Sequence, residues 1–461
     1  MSSLGSESNP LRIAIIGSGP SGFYATEALF RSSVNVSVDM IERLPNPYGL
    51  VRSGVAPDHP KLKQAIQVFD KIAGSPQFNF IGNVTVGRDV SVEELRRTHH
   101  ALIFTCGAET DRKLGIPGED LPGSYTATEF VGWYNGHPDY RDRQFDLSHE
   151  TAVIIGQGNV AADVSRILAK DVSELENTDI AAHALAVLAG SGVKNIFVVG
   201  RRGPAQAKFT SKELKEFGEL EVCDPVVDPE ELNLNPESEA ELADKTNAGS
   251  KKVYELFRQF ADRGTPAKPR RCHFIFLKSP VAILGDGKVE KIVLEKNTLE
   301  GTPRNQAAKG SGETMELAAG IILRSIGYRG VPIEGVPFDP KRGIFPNSNG
   351  RITGKEGDPV PQLYTAGWIK RGPTGIIGTN RADSVATVEA LLEDLALLNT
   401  GDDKNGAEGI YSLLNDRDIR CISFPEWKQI DQQEVERGNQ HNKPREKFTS
   451  VREMLDVLNE T

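Results

Sequence analysis

The strongest constraint on this chain is a pattern that occurs twice. "LRIAIIGSGPSGFYATEALF" (11–30) is a β-branched apolar run, a glycine turn and a helical segment, and "TAVIIGQGNVAADVSRILA" (151–169) repeats the design. A strand that ends in glycines and feeds a helix builds a βαβ unit whose helix N-terminus faces phosphate, because the first N–H groups of a helix lack intrahelical partners. In "GSGPSG", Gly17, Gly19 and Gly22 have G-x-G-x-x-G spacing directly after the strand. The first glycine permits the tight turn, the second lets the backbone approach a pyrophosphate, and the third allows close helix–strand packing. The next run, "VSVDMIER", places Glu42 roughly 25 residues on, near the position from which an acid grips a ribose. A solvated strand-end acid is the plain alternative.

The second motif, "GQGNVAAD", carries Gly156, Gly158 and Ala161, a G-x-G-x-x-A variant whose alanine suits a slightly wider helix–strand approach. The strand after it, "NIFVVGRRGP" (195–204), ends in Arg201 and Arg202 where the first unit has its acid. A guanidinium fork holds a phosphate through two parallel charge-assisted hydrogen bonds, whereas a carboxylate there would repel it. The group that distinguishes NADP from NAD is a 2′-phosphate, so the pair reads as a selector for NADPH. A basic surface dipeptide is the alternative. Two dinucleotide sites of different charge preference imply a relay. NADPH gives a hydride to a flavin held by the first unit, and the reduced flavin passes electrons onward.

The 461 residues suggest two to three domains. A third glycine-rich segment, "LYTAGWIKRGPTGIIGTNRADSVATVEALLEDL" (363–395), again runs strand, loop, helix. The fold class expected is α/β, with two Rossmann-like dinucleotide-binding domains and the NADP domain inserted into the FAD domain. Residues 1–112 and 325–461 form the FAD-binding domain, the second part carrying a C-terminal tail, and 113–324 form the NADP-binding domain. Within the insertion, "HFIFLKSPVAILGDGKVEKIVLEKN" (273–297) reads as two strands joined by a Gly-Asp-Gly turn, and 237–262 reads as helical.

Composition closes off other classes. No apolar run approaches the roughly 20 residues that span a bilayer, so no stable membrane insertion is expected. "MSSLGSESNPLR" has neither an apolar signal region nor an Arg-rich helix, and reads as a short disordered leader of a cytoplasmic protein. The four cysteines, Cys106, Cys223, Cys272 and Cys421, lie far apart without a C-x-x-C. That speaks against a disulfide framework, a dithiol redox centre, an iron–sulfur cluster and any metal site. A net charge of −10 disfavours nucleic-acid binding but leaves room for a local basic patch.

"GSGPSGFYA", "PYGLVRSGVAPDHPKLK", "GQGNVAADVSRIL", "VGRRGPAQAKFTSKEL" and "AGWIKRGPTGIIGTNRADS" together resemble the adrenodoxin reductase-like family of ferredoxin–NADP reductases, flavoproteins of the glutathione-reductase type. The stretches cover nearly the whole chain in the family's order. The resemblance implies FAD contacts at Ser21, Glu42, Leu50, Val84, Trp368, Gly375, Ile376 and Ile377. It implies NADP contacts at Gln157, Gly158, Asn159, Val160, Arg201, Arg202 and Glu213, with Gly375 close to both cofactors. It also implies that His59 and Glu216 lie near the nicotinamide and flavin rings. Hydride transfer needs no acid or base, so those two orient the cofactors or manage protons. Each residue has a plainer reading: core packing for Trp368, a backbone-bonded loop histidine for His59. Glu213 and Glu216 share a face of a predicted helix and, beside two arginines, could form only a surface ion-pair cluster.

The acceptor implied is a ferredoxin-type iron–sulfur protein, docked transiently by local charge, with "KFTSKELK" (208–215) and "KPRRCH" (Lys268, Arg270, Arg271) as candidate docking stretches. Three rival readings stand beside it. A flavin monooxygenase fits the cofactors but not the extended "GLVRSGVAPDHP" loop. A glutamate-synthase-like electron-input chain would bring cysteine motifs that are missing here. An NADPH- and FAD-binding redox sensor would lack turnover.

Overall fold

The computed structural model describes residues 3–375, 377–398 and 404–459. Strands β1 (Leu11–Ile16), β2 (Val36–Ile41), β3 (Phe78–Ile81) and β4 (Ala101–Phe104) pair in parallel in the spatial order β4-β1-β2-β3. The chain then leaves through β5 (Thr110–Asp111). It builds a second sheet from β6 (Ser124–Thr126), β7 (Thr151–Ile155), β8 (Asn195–Val199), β9 (Cys223–Val227) and β10 (Arg270–Ile275). An antiparallel meander follows, β11 (Lys278–Leu284), β12 (Lys291–Thr302) and β13 (Asn305–Ala318). Strand β14 (Ile321–Arg324) completes the second sheet in the order β6-β14-β7-β8-β10-β9. The return strand β15 (Tyr328–Arg329) pairs antiparallel with β5, so the outgoing and returning connections run side by side. Finally β16 (Asn347–Ser348), β17 (Arg351–Thr353) and β18 (Pro359–Thr365) join the first sheet beside β4. The fold is α/β, with two Rossmann-like sheets, the second built within an interruption of the first.

The central strands are apolar along their length because helices cover both faces of a parallel sheet. In β1, Leu11, Ile13 and Ile15 enter one core cluster while Ala14 and Ile16 enter another on the opposite face, as the two-residue period of a strand requires. Both helices that follow the glycine turns, Pro20–Phe30 and Asn159–Ala169, pack one apolar stripe against their own sheet.

Three expectations change. Residues near the N-terminus are not a disordered leader: Leu4 is buried in the first core, and the Gly5 carbonyl accepts the Asn35 N–H at 2.8 Å. The hairpin read at 273–297 begins later, because the run before Lys278 belongs to parallel β10 and only β11 and β12 form the hairpin. The helical stretch 237–262 is two helices, Pro236–Ala243 and Ala248–Ala261, broken where the Asp244 carboxylate caps a tight turn through the Thr246 N–H at 2.9 Å. Among the described residues no helix is long and apolar enough to cross a membrane.

Candidate functional site: two glycine turns and a buried charge cluster

The first glycine turn leaves β1 with Gly17 at φ +104°, a conformation that favours glycine, and a Cβ there would stand 2.8 Å from backbone atoms of Thr105 and Cys106. A side chain on Gly22 would collide with the Gly17 carbonyl. Around a Cβ on Gly19, by contrast, no atom of the described residues lies within 4 Å. Two glycines therefore serve packing, and the third opens onto free space at the N-terminus of the helix Pro20–Phe30. That terminus has no side-chain cap, which leaves its first N–H groups available to an outside acceptor. Glu42 follows β2 into the same place. Its Oε2 accepts from Ser18 Oγ at 2.6 Å and from the Ser18 N–H at 3.0 Å, and its Oε1 accepts from the Leu44 N–H at 3.2 Å. The buried Val84 donates its N–H to the Glu42 carbonyl at 2.9 Å.

The remaining first-unit residues converge on this turn. Leu50 opens a short helix, Leu50–Ser53, and is 42% exposed; a Cβ on the preceding Gly49 would lie 3.0 Å from Gly19 Cα. Ser21 Oγ donates to Asn380 Oδ1 at 3.1 Å, tying the first helix to the helix Ile377–Glu393. A Cβ on Gly367 would collide with the same Ser21 hydroxyl, which brings Trp368 alongside. Trp368 stacks on Tyr328 at 5.4 Å and 24°, and its buried Nε1 has no partner among the described residues. Gly375 has φ +85°, Ile377 packs against the first core, and Ile376 lies outside the described residues. An open cradle over Gly19 and an unpaired buried indole donor fit a flavin dinucleotide, which offers a pyrophosphate and ring acceptors.

The second turn repeats the logic. Gly156 sits at φ +131°, where a Cβ would collide with the Ser325 carbonyl, while a Cβ on Gly158 would meet no atom of the described residues within 4 Å. Gln157 Nε2 donates to the Ile275 carbonyl at 2.9 Å, and Asn159 Oδ1 accepts the Thr210 N–H at 2.8 Å. Val160 packs partly buried against the second core. Beyond the tip of β8, Arg201 is exposed and Arg202 half-buried. Among the described residues neither guanidinium has a hydrogen bond or an ion pair. Burial first, and the neighbouring Arg201 second, push the basicity of Arg202 down. Glu241 pulls weakly the other way without reaching an ion pair, and two adjacent cations with no ion pair among the described residues make a ready anion site.

His59, Glu213 and Glu216 meet in a third cluster that spans the two sheets. His59 precedes the helix Pro60–Lys63, and its Nε2 stands 2.8 Å from Glu216 Oε2 and 3.6 Å from Glu213 Oε2. Both glutamates belong to the helix Ser211–Glu216. Their cation is Arg166, 1% exposed, whose guanidinium reaches Asp58 at 2.6 and 3.0 Å, Asp163 at 2.7 Å and Glu213 at 3.3 Å. The expectation of a surface ion-pair cluster beside Arg201 and Arg202 is thus corrected: the two acids do share a face, but their partners are His59 and Arg166, and the cluster is buried. Arg166 and Asp58 escaped the sequence reading. The available signal was an arginine in the apolar stripe of "VSRILA".

Titration follows this geometry. Burial pulls His59 down, but the Glu216 hydrogen bond and the surrounding carboxylates outweigh it and hold the imidazole above its usual value. Burial alone would raise Glu216, yet His59 and Arg166 keep it below the ordinary range. Burial wins at Glu213 and Asp163, which are raised, while the Arg166 hydrogen bond holds Asp58 well below despite burial. His59, Glu213 and Glu216 present donor atoms within 4.8 Å of one another, a spacing a metal could use. The Arg166 guanidinium already supplies the positive charge there, so the set fits a cation poorly. Of the candidate docking residues, Lys268 donates to the Leu220 carbonyl and Arg270 to the Leu168 carbonyl at 3.3 Å, which leaves Arg271 exposed.

No family model matches the chain. The NADPH-ferredoxin reductase FprA of Mycobacterium leprae is 46% identical over 454 residues, covering 96% of this chain and 98% of that protein. The mitochondrial NADPH:adrenodoxin oxidoreductase of Arabidopsis thaliana is 43% identical over 463 residues, covering 97% and 95%. Among solved structures, Mycobacterium tuberculosis FprA in complex with NADPH matches with a TM-score of 0.91 at 45% identity, covering 97% of this chain and 99% of that one.

Proposed function

The chain belongs to the family of NADPH–ferredoxin and NADPH:adrenodoxin reductases, and from that premise we propose how its residues carry electrons from NADPH through FAD to a ferredoxin-type iron–sulfur protein. It is an oxidoreductase. When bound, FAD supplies the step no side chain here can make, taking two electrons as a hydride and releasing them singly. Gly17, Gly19 and Gly22 shape the turn that receives its pyrophosphate, and Glu42 grips its ribose. Ser21 fixes the first helix, and Leu50 and Val84 line the cradle. Trp368 would donate its Nε1 to a ring acceptor, and the positive end of the helix that begins at Ile377, next to Gly375, would stabilise negative charge on the flavin; Ile376, between them in the chain, is assigned to the same site by the family resemblance alone.

NADPH occupies the second turn. Gly156, Gln157, Gly158, Asn159 and Val160 form the phosphate-facing loop and helix start, and Arg201 with Arg202 clamps the 2′-phosphate. His59 and Glu216, one from each unit, hold the two rings in register and keep a proton between them, while Glu213 and Arg166 orient that pair. The unit boundaries fall at 112/113 and 324/325, beside the paired strands β5 and β15. The acceptor docks transiently through local charge, with Arg271 and the exposed Lys208, Lys212 and Lys215 as available cations. A cytoplasmic location is part of the same proposal, and cell fractionation tests it.

The observation that carries this reading is an arginine pair with no ion pair among the described residues, beside an open glycine turn. Two charge-assisted contacts, discounted for exposure, amount to about 2–3 kcal/mol. Arg201→Ala with Arg202→Ala should therefore raise the KM for NADPH about 30-fold or more, and that for NADH by less than about three-fold. Equal losses with both nucleotides in steady-state ferredoxin reduction would refute the phosphate assignment.

A further inference from the structure

The arginine pair is held from behind. All three carbonyls from Gly200 to Arg202 are taken by the chain that follows β10. Gly200 O accepts from the Lys278 N–H at 3.0 Å, Arg201 O from Asn297 Nδ2 at 2.8 Å, and Arg202 O from the Leu277 N–H at 3.1 Å. Two of these donors are backbone groups and come with the register of the chain. The middle one is a side chain. Asn297 lies on β12 at the irregularity in its pairing with β13 and is 3% exposed. Its Nδ2 also donates to Ser279 Oγ at 2.8 Å, and its own N–H donates to the Leu277 carbonyl at 2.8 Å. One buried amide thus joins β11, β12 and the arginine loop.

We infer that Asn297 is a positioning residue for nucleotide selection, fixing the Arg201 carbonyl so that the loop presents both guanidinium groups to the 2′-phosphate. Without the amide, the peptide between Arg201 and Arg202 is free to rotate and turn its carbonyl oxygen toward the anion. A dipole so turned opposes phosphate binding and leaves the unphosphorylated nucleotide indifferent. The inference rests on the reading of the arginine pair as a phosphate clamp, and the experiment separates the two.

Dissociation constants of adenosine 2′,5′-bisphosphate and of 5′-AMP are measured by titration calorimetry on the full-length flavoprotein. The forms compared are the native chain, Asn297→Ala, the double Arg201→Ala/Arg202→Ala form and the triple form. Asn297→Ala should weaken the bisphosphate about five-fold relative to 5′-AMP, the scale of one hydrogen bond. In the double-arginine background it should add less than about two-fold, because the groups it positions are gone. A loss equal for both probes, or no loss, overturns the positioning role. An unchanged ratio in the double-arginine form overturns the clamp itself. Asn297→Leu, which keeps the volume and removes the donor, should give the same ratio and decides the matter where the alanine form folds poorly.

Discussion

Replacing Arg166 with leucine tests whether the buried cluster is held by charge. Its guanidinium is 1% exposed and contacts carboxylates of Asp58, Asp163 and Glu213, which are 5%, 17% and 10% exposed. Leucine fills much of the same volume, so the loss is electrostatic: these three acids and Glu216, 3.6 Å from the guanidinium, are left with Lys170, 3.1 Å from Asp58, and His59 as remaining cations. Breaking one such pair costs about 3–5 kcal/mol. For a domain of ordinary size that lowers the melting midpoint by about 6–20 °C. The pH dependence is the sharper readout. Without Arg166 the acids have folded pKa values above their unfolded ones, so the folded form binds more protons and stability falls as pH rises. Scanning calorimetry of the flavoprotein should show a larger deficit for Arg166→Leu at pH 8 than at pH 5. A deficit under about 1 kcal/mol, or one that does not change with pH, would mean that water screens the cluster and the argument fails.

Glycines at the two positions of the first turn should fail differently. Gly17→Ala forces a side chain onto backbone at φ +104° and should destabilise the fold by about 1–3 kcal/mol or more, whereas Gly19→Ala should leave the apoprotein melt intact and lower FAD content by absorbance. Identical apoprotein melts for the two variants would contradict the division between packing and ligand glycines. Glu216→Gln should lower the His59 pKa, followed by NMR on labelled histidine. The pair needs an anionic glutamate and a cationic imidazole, so its stabilisation holds between about pH 5 and 6.5 and is lost as pH rises through the raised His59 value. A His59 titration indifferent to Glu216→Gln would remove the coupling.

What could be seen in the sequence was what is local in the chain. The glycine turns, Glu42 and the arginine pair are each fixed within a βαβ unit, where spacing along the chain is spacing in space. His59 and Glu216 were different: the residues alone gave no reason to join them, and only the family resemblance brought them near each other. Their contact crosses 157 positions, and Arg166 reaches Asp58 across 108, distances no periodicity reports. Asn297 ends the run "VLEKN" with no mark of its role, since a buried amide facing a carbonyl looks like any polar strand residue. Strand β13, "NQAAKGSGETMELA", hid for another reason: it is largely exposed and rich in glycine and charge, and pairing with β12 rather than propensity makes it a strand. Leu4 was overlooked because one apolar residue in a polar segment carries no pattern.

The interrupted layout of the first sheet dictates an order of assembly on the ribosome. Strand β4, whose four residues are fully enclosed in the finished protein, has β18 as its second neighbour, and some 250 residues separate the two in the chain. The inserted unit has all its strands once β14 has emerged, while Ala101–Phe104 still ends a sheet with an open, greasy flank. Nascent chains stalled before Pro359 should consequently recruit chaperones or clump through that flank, and those released after Thr365 should not.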